Sequence, residues 1–194
     1  MALRVFLILA FCLGLVACGS DGKCRGLIFS GGGDKGAYEA GALMAFTQLL
    51  PAQEVSYDII AGTSAGSLNV AGFALSKQGE ETQGAQLIKD VWDTITKNDV
   101  YKNWAMGIPQ GLFMEYGIYD TSPLFSFLKD FFDQHGGKTL RDFSIVVTNA
   151  MEAFPVRINQ TATGDELLNW IMASSAFPVF LPHIQQGQYP YMDG

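Results

Sequence analysis

Tyr57-Asp58-Ile59-Ile60-Ala61-Gly62-Thr63-Ser64-Ala65-Gly66 is the stretch on which the fold turns. A short apolar β-rich run (57–61), a turn of small residues and a helical pattern over 67–75 make one strand–turn–helix unit. Within it, Gly62, Ser64 and Gly66 form a Gly-x-Ser-x-Gly pattern. The glycines have a steric purpose: a serine on a sharp strand-to-helix turn needs neighbours without side chains, so that the backbone can bend and a substrate can approach. Ser64 is therefore the candidate nucleophile, and the rest of the chain must supply an oxyanion hole and a base.

Upstream, residues 25–29 (Arg-Gly-Leu-Ile-Phe) read as a buried strand that runs into Ser30-Gly31-Gly32-Gly33-Asp34-Lys35-Gly36. Residues 37–50 follow as a helix whose many small side chains let it lie close to a sheet, and Pro51 stops it. Two strand–loop–helix units in succession predict parallel strands joined by right-handed crossovers, hence an α/β fold. Downstream, Leu87, Ile88, Val91, Trp92 and Ile95 give residues 80–97 one apolar helical face. Residues 100–119 show no clean period, with Trp104, Leu112, Phe113 and Met114 interleaved with glycines and Pro109. A loop of that length in a compact domain is expected to be functional, here a lid or a wall for an acyl chain. Ser122-Pro123 opens a helix through Phe132. Residues 143–149 are a strand with 155–158 as its antiparallel or edge neighbour, 165–175 a helix, and the end of the chain reads as loop.

The chain has 194 residues and a net charge of −7, enough for one domain with a sizeable core. The acidic balance argues against nucleic acid, which needs clustered Lys and Arg, and against electrostatic attraction to anionic membranes. Residues 1–19 read as a signal peptide, because Arg4 precedes an apolar run over 5–17 and small residues follow. The run is shorter than the roughly 20 apolar residues of a membrane span. A secreted or extracytoplasmic protein is expected; alternatively Leu15-Val16-Ala17-Cys18 reads as a lipobox, which would make Cys18 a lipid anchor. Of the three cysteines, Cys12 leaves with the signal, and Cys18 and Cys24 read as incidental. With two histidines and no metal-ligand spacing, no metal is expected.

The run from Gly31 to Gly36 satisfies Gly-x-Gly-x-x-Gly between a strand and a helix, the setting of a dinucleotide-binding loop. Such a site wants an acid ending the second strand, yet Glu54 precedes that strand. A serine hydrolase uses the same loop as backbone N–H donors for the oxyanion formed when Ser64 attacks an ester. Two bases remain open. His183, after Asp165 in chain order, could complete a Ser-His-Asp esterase; Asp193 could take the serine proton directly.

These residues resemble the patatin-like phospholipases, serine acyl hydrolases with a Ser-Asp dyad. Four stretches match in order: Ser-Gly-Gly-Gly-Asp-Lys-Gly from Ser30, Gly-Thr-Ser-Ala-Gly from Gly62, Ala-Ser-Ser-Ala-Phe-Pro from Ala173, and Asp193-Gly194. The resemblance covers residues 25–194. It implies a three-layer α/β/α sandwich with a mainly parallel sheet, Ser64 as nucleophile and Asp193 as base. It further implies an oxyanion hole of Gly31, Gly32 and Gly33 with Lys35 where the family carries Arg or Lys, and motif glycines at Gly36, Gly62, Gly66 and Gly194. No cofactor or metal is implied. The expected substrate is a lipid or acyl ester, with membrane-surface contact through an apolar lid. In the family more chain follows the Asp-Gly pair, so the resemblance implies a domain that is incomplete at its C-terminal end.

Overall fold

β1 (Gly26–Phe29), α1 (Gly36–Leu49), a short α2 (Ala52–Val55), β2 (Ile59–Thr63) and α3 (Ala65–Phe73) form the first half of a computed structural model that describes residues 21–194. The signal-peptide and lipobox readings thus lie outside the described residues. Next come α4 (Glu81–Thr94), α5 (Lys97–Val100), β3 (Lys102–Asn103), α6 (Ile108–Phe113), β4 (Tyr119–Asp120) and α7 (Ser122–Gln134). β5 (Phe143–Asn149), β6 (Phe154–Asn159), α8 (Gly164–Ser174), β7 (Ile184–Gln186) and β8 (Tyr189–Asp193) complete the order.

The heart of the sheet is parallel, as expected: β1 runs alongside β2, and β2 alongside β5. The order β1–β2–β5 advances in one direction, and right-handed crossovers then put the connecting helices on one face. Phe29, Ile60 and Ile145 on that face are at most 2% exposed and join Val70, Phe73, Ile88 and Ile171 in the core. On the opposite face of β1 and β2, Ile28 is 79% and Ile59 54% exposed. α3 lies very close to the sheet because of two glycines. A Cβ on Gly62 would collide with the Gly66 carbonyl, and one on Gly66 with the Phe29 carbonyl.

β5 organises the site. β6 pairs antiparallel along residues 144–149 of β5 and so occupies one of its edges. The other edge carries two strands in line: β2 opposite residues 143–146, then β8, running antiparallel to β5, opposite 147–149. β2 ends at Thr63 opposite Val146, and β8 ends at Asp193 opposite Val147. Two strands pointing at each other along one rail therefore deliver residues 64 and 193 to the same place.

Four expectations change. The long apolar helix stops at Thr94, because Thr96 and Asp99 form a capping box, with the Thr96 N–H donating to Asp99 Oδ2 at 2.8 Å, and start α5. The irregular 100–119 stretch contains α6 and a two-stranded ribbon, β3 with β4. The loop-like end of the chain is a hairpin, β7 with β8, turned at Gly187 with φ 61°. Cys24 is disulfide-bonded and so is not incidental.

Candidate active site

Ser64 sits between β2 and α3 with φ 53° and ψ −128°, in the left-handed half of the map that a non-glycine residue enters only at a cost of about 1–3 kcal/mol. Three serines hold it there. The Ser64 N–H donates to Ser174 Oγ at 3.0 Å, and Ser174 Oγ donates to the Val146 carbonyl at 2.7 Å. The Ser64 carbonyl accepts from Ser67 Oγ at 2.6 Å and from Ser175 Oγ at 3.3 Å. With its backbone fixed, the Ser64 hydroxyl donates to Asp193 Oδ2 at 2.8 Å.

Asp193 is tied to the same helix end, its N–H donating to the Ala176 carbonyl at 3.2 Å. Burial pushes its carboxyl above the ordinary aspartate range, opposed by hydrogen bonds from the Ser64 hydroxyl and the Gly194 N–H. Gly194 fills the joint between β2 and β8, where an added Cβ would strike the Val146 carbonyl. His183 stands elsewhere, its ring 4.2 Å from that of Tyr116, and burial lowers its pKa.

Gly31, Gly32 and Gly33 line the cavity that also holds Ser64 and Asp193. A Cβ on Gly31 would lie 3.1 Å from the Ser64 Cβ, so the loop crosses directly beside Ser64. Lys35 ends the 3₁₀ turn Gly33–Lys35, exposed and outside the cavity, and Gly36 starts α1 against the Trp92 ring. Glu54 pairs with Arg25 at 3.6 Å, away from the loop.

The cavity measures about 680 Å³, within the range of about 300–1,000 Å³ usual for small-molecule sites. Leu68, Trp92, Ile95, Val100 and Leu124 wall it, while Phe177 and Leu181 form its lip. Ile95 and Val100 reach it because the helix breaks at Thr96. Residues 104–119 are fastened to the lip: the Ile118 and Tyr119 N–H groups donate to the carbonyls of Val179 (2.9 Å) and Phe180 (3.0 Å).

The reading of the sequence missed Ser67, Ser174 and Ser175 as individuals. It had the Ala-Ser-Ser-Ala-Phe-Pro stretch only through resemblance, and the structure gives it a purpose: Ser174, Ser175 and Ala176 fix the backbones of Ser64 and Asp193. It also missed Glu39, Asn69 and Trp92, whose spacing carries no local signal because they meet from three helices.

The family model described as patatin-like phospholipase matches residues 27–194. A comparison with curated proteins finds no match. Among solved structures, the chain is similar to "Crystal structure of VipD from Legionella pneumophila" at 13% identity and a TM-score of 0.46, covering 88% of this chain and 46% of that one. The chain thus spans about half the length of that protein. The family match runs without a break through β1, the glycine loop, the serine turn, the end of α8 and β8, and the chain belongs to the patatin-like phospholipase family.

Proposed function

We propose that the protein hydrolyses acyl ester bonds of lipids through an acyl-enzyme on Ser64, with Asp193 as general base. Family membership supports lipid acyl hydrolysis in general, and the observation that carries the finer reading is the 2.8 Å hydrogen bond from Ser64 Oγ to Asp193 Oδ2. As Ser64 Oγ bonds to the acyl carbon, its proton passes to Asp193, and the carbonyl oxygen becomes an anion facing the backbone amides of Gly31, Gly32 and Gly33. Lys35 adds positive charge from outside the cavity. Collapse breaks the ester C–O bond, and the departing alcohol takes the proton from Asp193. Water then attacks the Ser64 ester, Asp193 receives its proton, and collapse frees the fatty acid and returns the proton to Ser64. A carboxyl raised above its ordinary range is a better match to this task than a free aspartate.

The apolar cavity takes the acyl chain, and the exposed apolar side chains around its lip rest on a lipid surface. The setting is extracytoplasmic, by secretion or through a Cys18 anchor, as the apolar run over residues 5–17 and the small residues after it suggest.

Hydrolysis of a chromogenic acyl ester tests the reading. Ser64→Ala abolishes turnover and labelling by a fluorophosphonate, and Asp193→Asn lowers kcat by about 10²–10⁴-fold, the usual worth of a general base. Activity retained in Asp193→Asn and lost in His183→Ala moves the site to a Ser-His-Asp esterase; saturable dinucleotide binding without covalent labelling moves it to a nucleotide-binding module.

A further inference from the structure

Behind the glycine loop lies a hydrogen-bonded chain that touches neither Ser64 nor Asp193. Its centre is Asn69 on α3, 0% exposed and five residues past the nucleophile. Asn69 Nδ2 donates to the Gly36 carbonyl at 3.1 Å and to Glu39 Oε2 at 3.0 Å, and its Oδ1 accepts from Trp92 Nε1 at 2.6 Å. The other Glu39 oxygen accepts from the Ser30 N–H at 2.7 Å. Ser30 and Gly36 are the two ends of the glycine loop. One amide and one carboxylate thus join both ends of that loop to α3, the helix that follows Ser64.

The loop needs such a hold. Three successive glycines lose more conformational freedom on ordering than any other residues, and the backbone bonds between its own residues all lie in its second half, from the Lys35 N–H to the Gly32 carbonyl at 3.2 Å and from the Gly36 N–H to the Gly33 and Asp34 carbonyls. An oxyanion hole works only when its donors are held within about 0.5 Å of the productive geometry. The chemistry of the network also demands these residue types. Asn69 Nδ2 faces a carbonyl and a carboxylate, both acceptors, and Oδ1 faces an indole donor, so an amide in one orientation satisfies all three. An aspartate there could not donate and would face Glu39, and a leucine would make none of the three hydrogen bonds.

We propose that Glu39, Asn69 and Trp92 are positioning residues that hold the glycine loop in register with Ser64. This rests on the reading of the loop as the oxyanion hole. Trp92 belongs to two systems at once, because its ring walls the acyl cavity while its N–H closes the network.

The full chain is assayed with a p-nitrophenyl acyl ester and its thiono counterpart, in which sulfur replaces the carbonyl oxygen. Sulfur accepts hydrogen bonds poorly, so the oxo/thiono ratio of kcat reads bonding to the developing anion and is indifferent to how much protein is folded. Asn69→Leu lowers kcat about 10²-fold, as an ångström-scale misplacement does, with KM unchanged and the ratio falling in parallel. Glu39→Gln keeps an acceptor for the Ser30 N–H but not the second for Asn69, and its kcat falls between wild type and Glu39→Ala. Trp92→Phe keeps an aromatic wall and drops the N–H, lowering kcat about five-fold, the worth of one net hydrogen bond. It decides the matter if Asn69→Leu does not fold. An unchanged oxo/thiono ratio in folded Trp92→Phe and Glu39→Gln overturns the proposal, whatever happens to Tm. Ser64→Ala separates the two readings: if it stays active the catalytic reading fails, and if it is inactive while these variants keep their ratio, the clamp alone fails.

Discussion

At Asp193, the proposed catalytic role and stability pull in opposite directions. A protonated carboxyl cannot take the Ser64 proton, so activity is lost as pH falls through the Asp193 pKa, which burial holds above the ordinary value of about 3.9. The acid limb of kcat/KM is therefore expected at a higher midpoint than for a free aspartate. For folding the sign reverses. A carboxyl whose pKa is raised in the folded state binds its proton more tightly there than when unfolded, so its contribution to stability is greatest in acid and is lost as pH rises through the folded pKa. Asp193→Asn is expected to raise Tm at pH 7, with the difference from wild type vanishing once both side chains are neutral; Tm measured across pH checks it. Ser64 carries the complementary cost in its backbone, which three serine hydroxyls hold by bonding its N–H and its carbonyl.

Among the elements, β5 does for the dyad what no single turn could. It lines up the ends of β2 and β8, and the Ser174 hydroxyl spans the joint between them, donating to Val146 and accepting from Ser64. Ser174→Ala removes both hydrogen bonds at this half-buried joint, and is expected to cost about 1–3 kcal/mol in denaturant unfolding together with a loss of kcat. The strand–glycine–helix units were legible in the sequence because each is local: the apolar run, the small-residue turn and the helical period adjoin one another at Phe29 to Gly36 and at Ile59 to Gly66. The β7–β8 hairpin was not, since Gln185, Gln186 and Pro190 break the alternation that marks a strand. The β3–β4 ribbon was hidden for another reason, as Lys102 and Asp120 become neighbours only after α6 has folded back between them. For the site, Ser64 and both candidate bases could be named in advance, while the meeting of Ser64 with Asp193 and not with His183 waited on a register set through a third strand.

Over the whole molecule, the cavity opens onto a rim that is nearly free of charge. Phe113 is 85% exposed, Met114 and Tyr116 are exposed beside it, and Phe177, Val179 and Phe180 face out from the lip to which this segment is fastened. Glu115 is the one Asp, Glu, Lys or Arg in residues 104–118, and residues 173–192 contain none. An apolar rim on a chain of net charge −7 fits an uncharged or zwitterionic lipid surface better than an anionic one. Changing Phe113 and Met114 together to Asp is expected to lower hydrolysis of phosphatidylcholine vesicles about ten-fold or more, from the lost burial of a Phe-sized side chain, while turnover of a soluble short-chain ester is unchanged. Parallel losses on both substrates would refute lipid-surface contact at this rim.

Ser64 and Asp193 are 129 positions apart along the chain. A polypeptide emerging from the ribosome can form the parallel strands, the glycine loop and the strained turn while Ser64 still has no carboxylate beside it. Only when the closing strand β8 settles onto β5 do the two side chains meet, so the proposed hydrolytic activity is the last property the chain acquires as it is made.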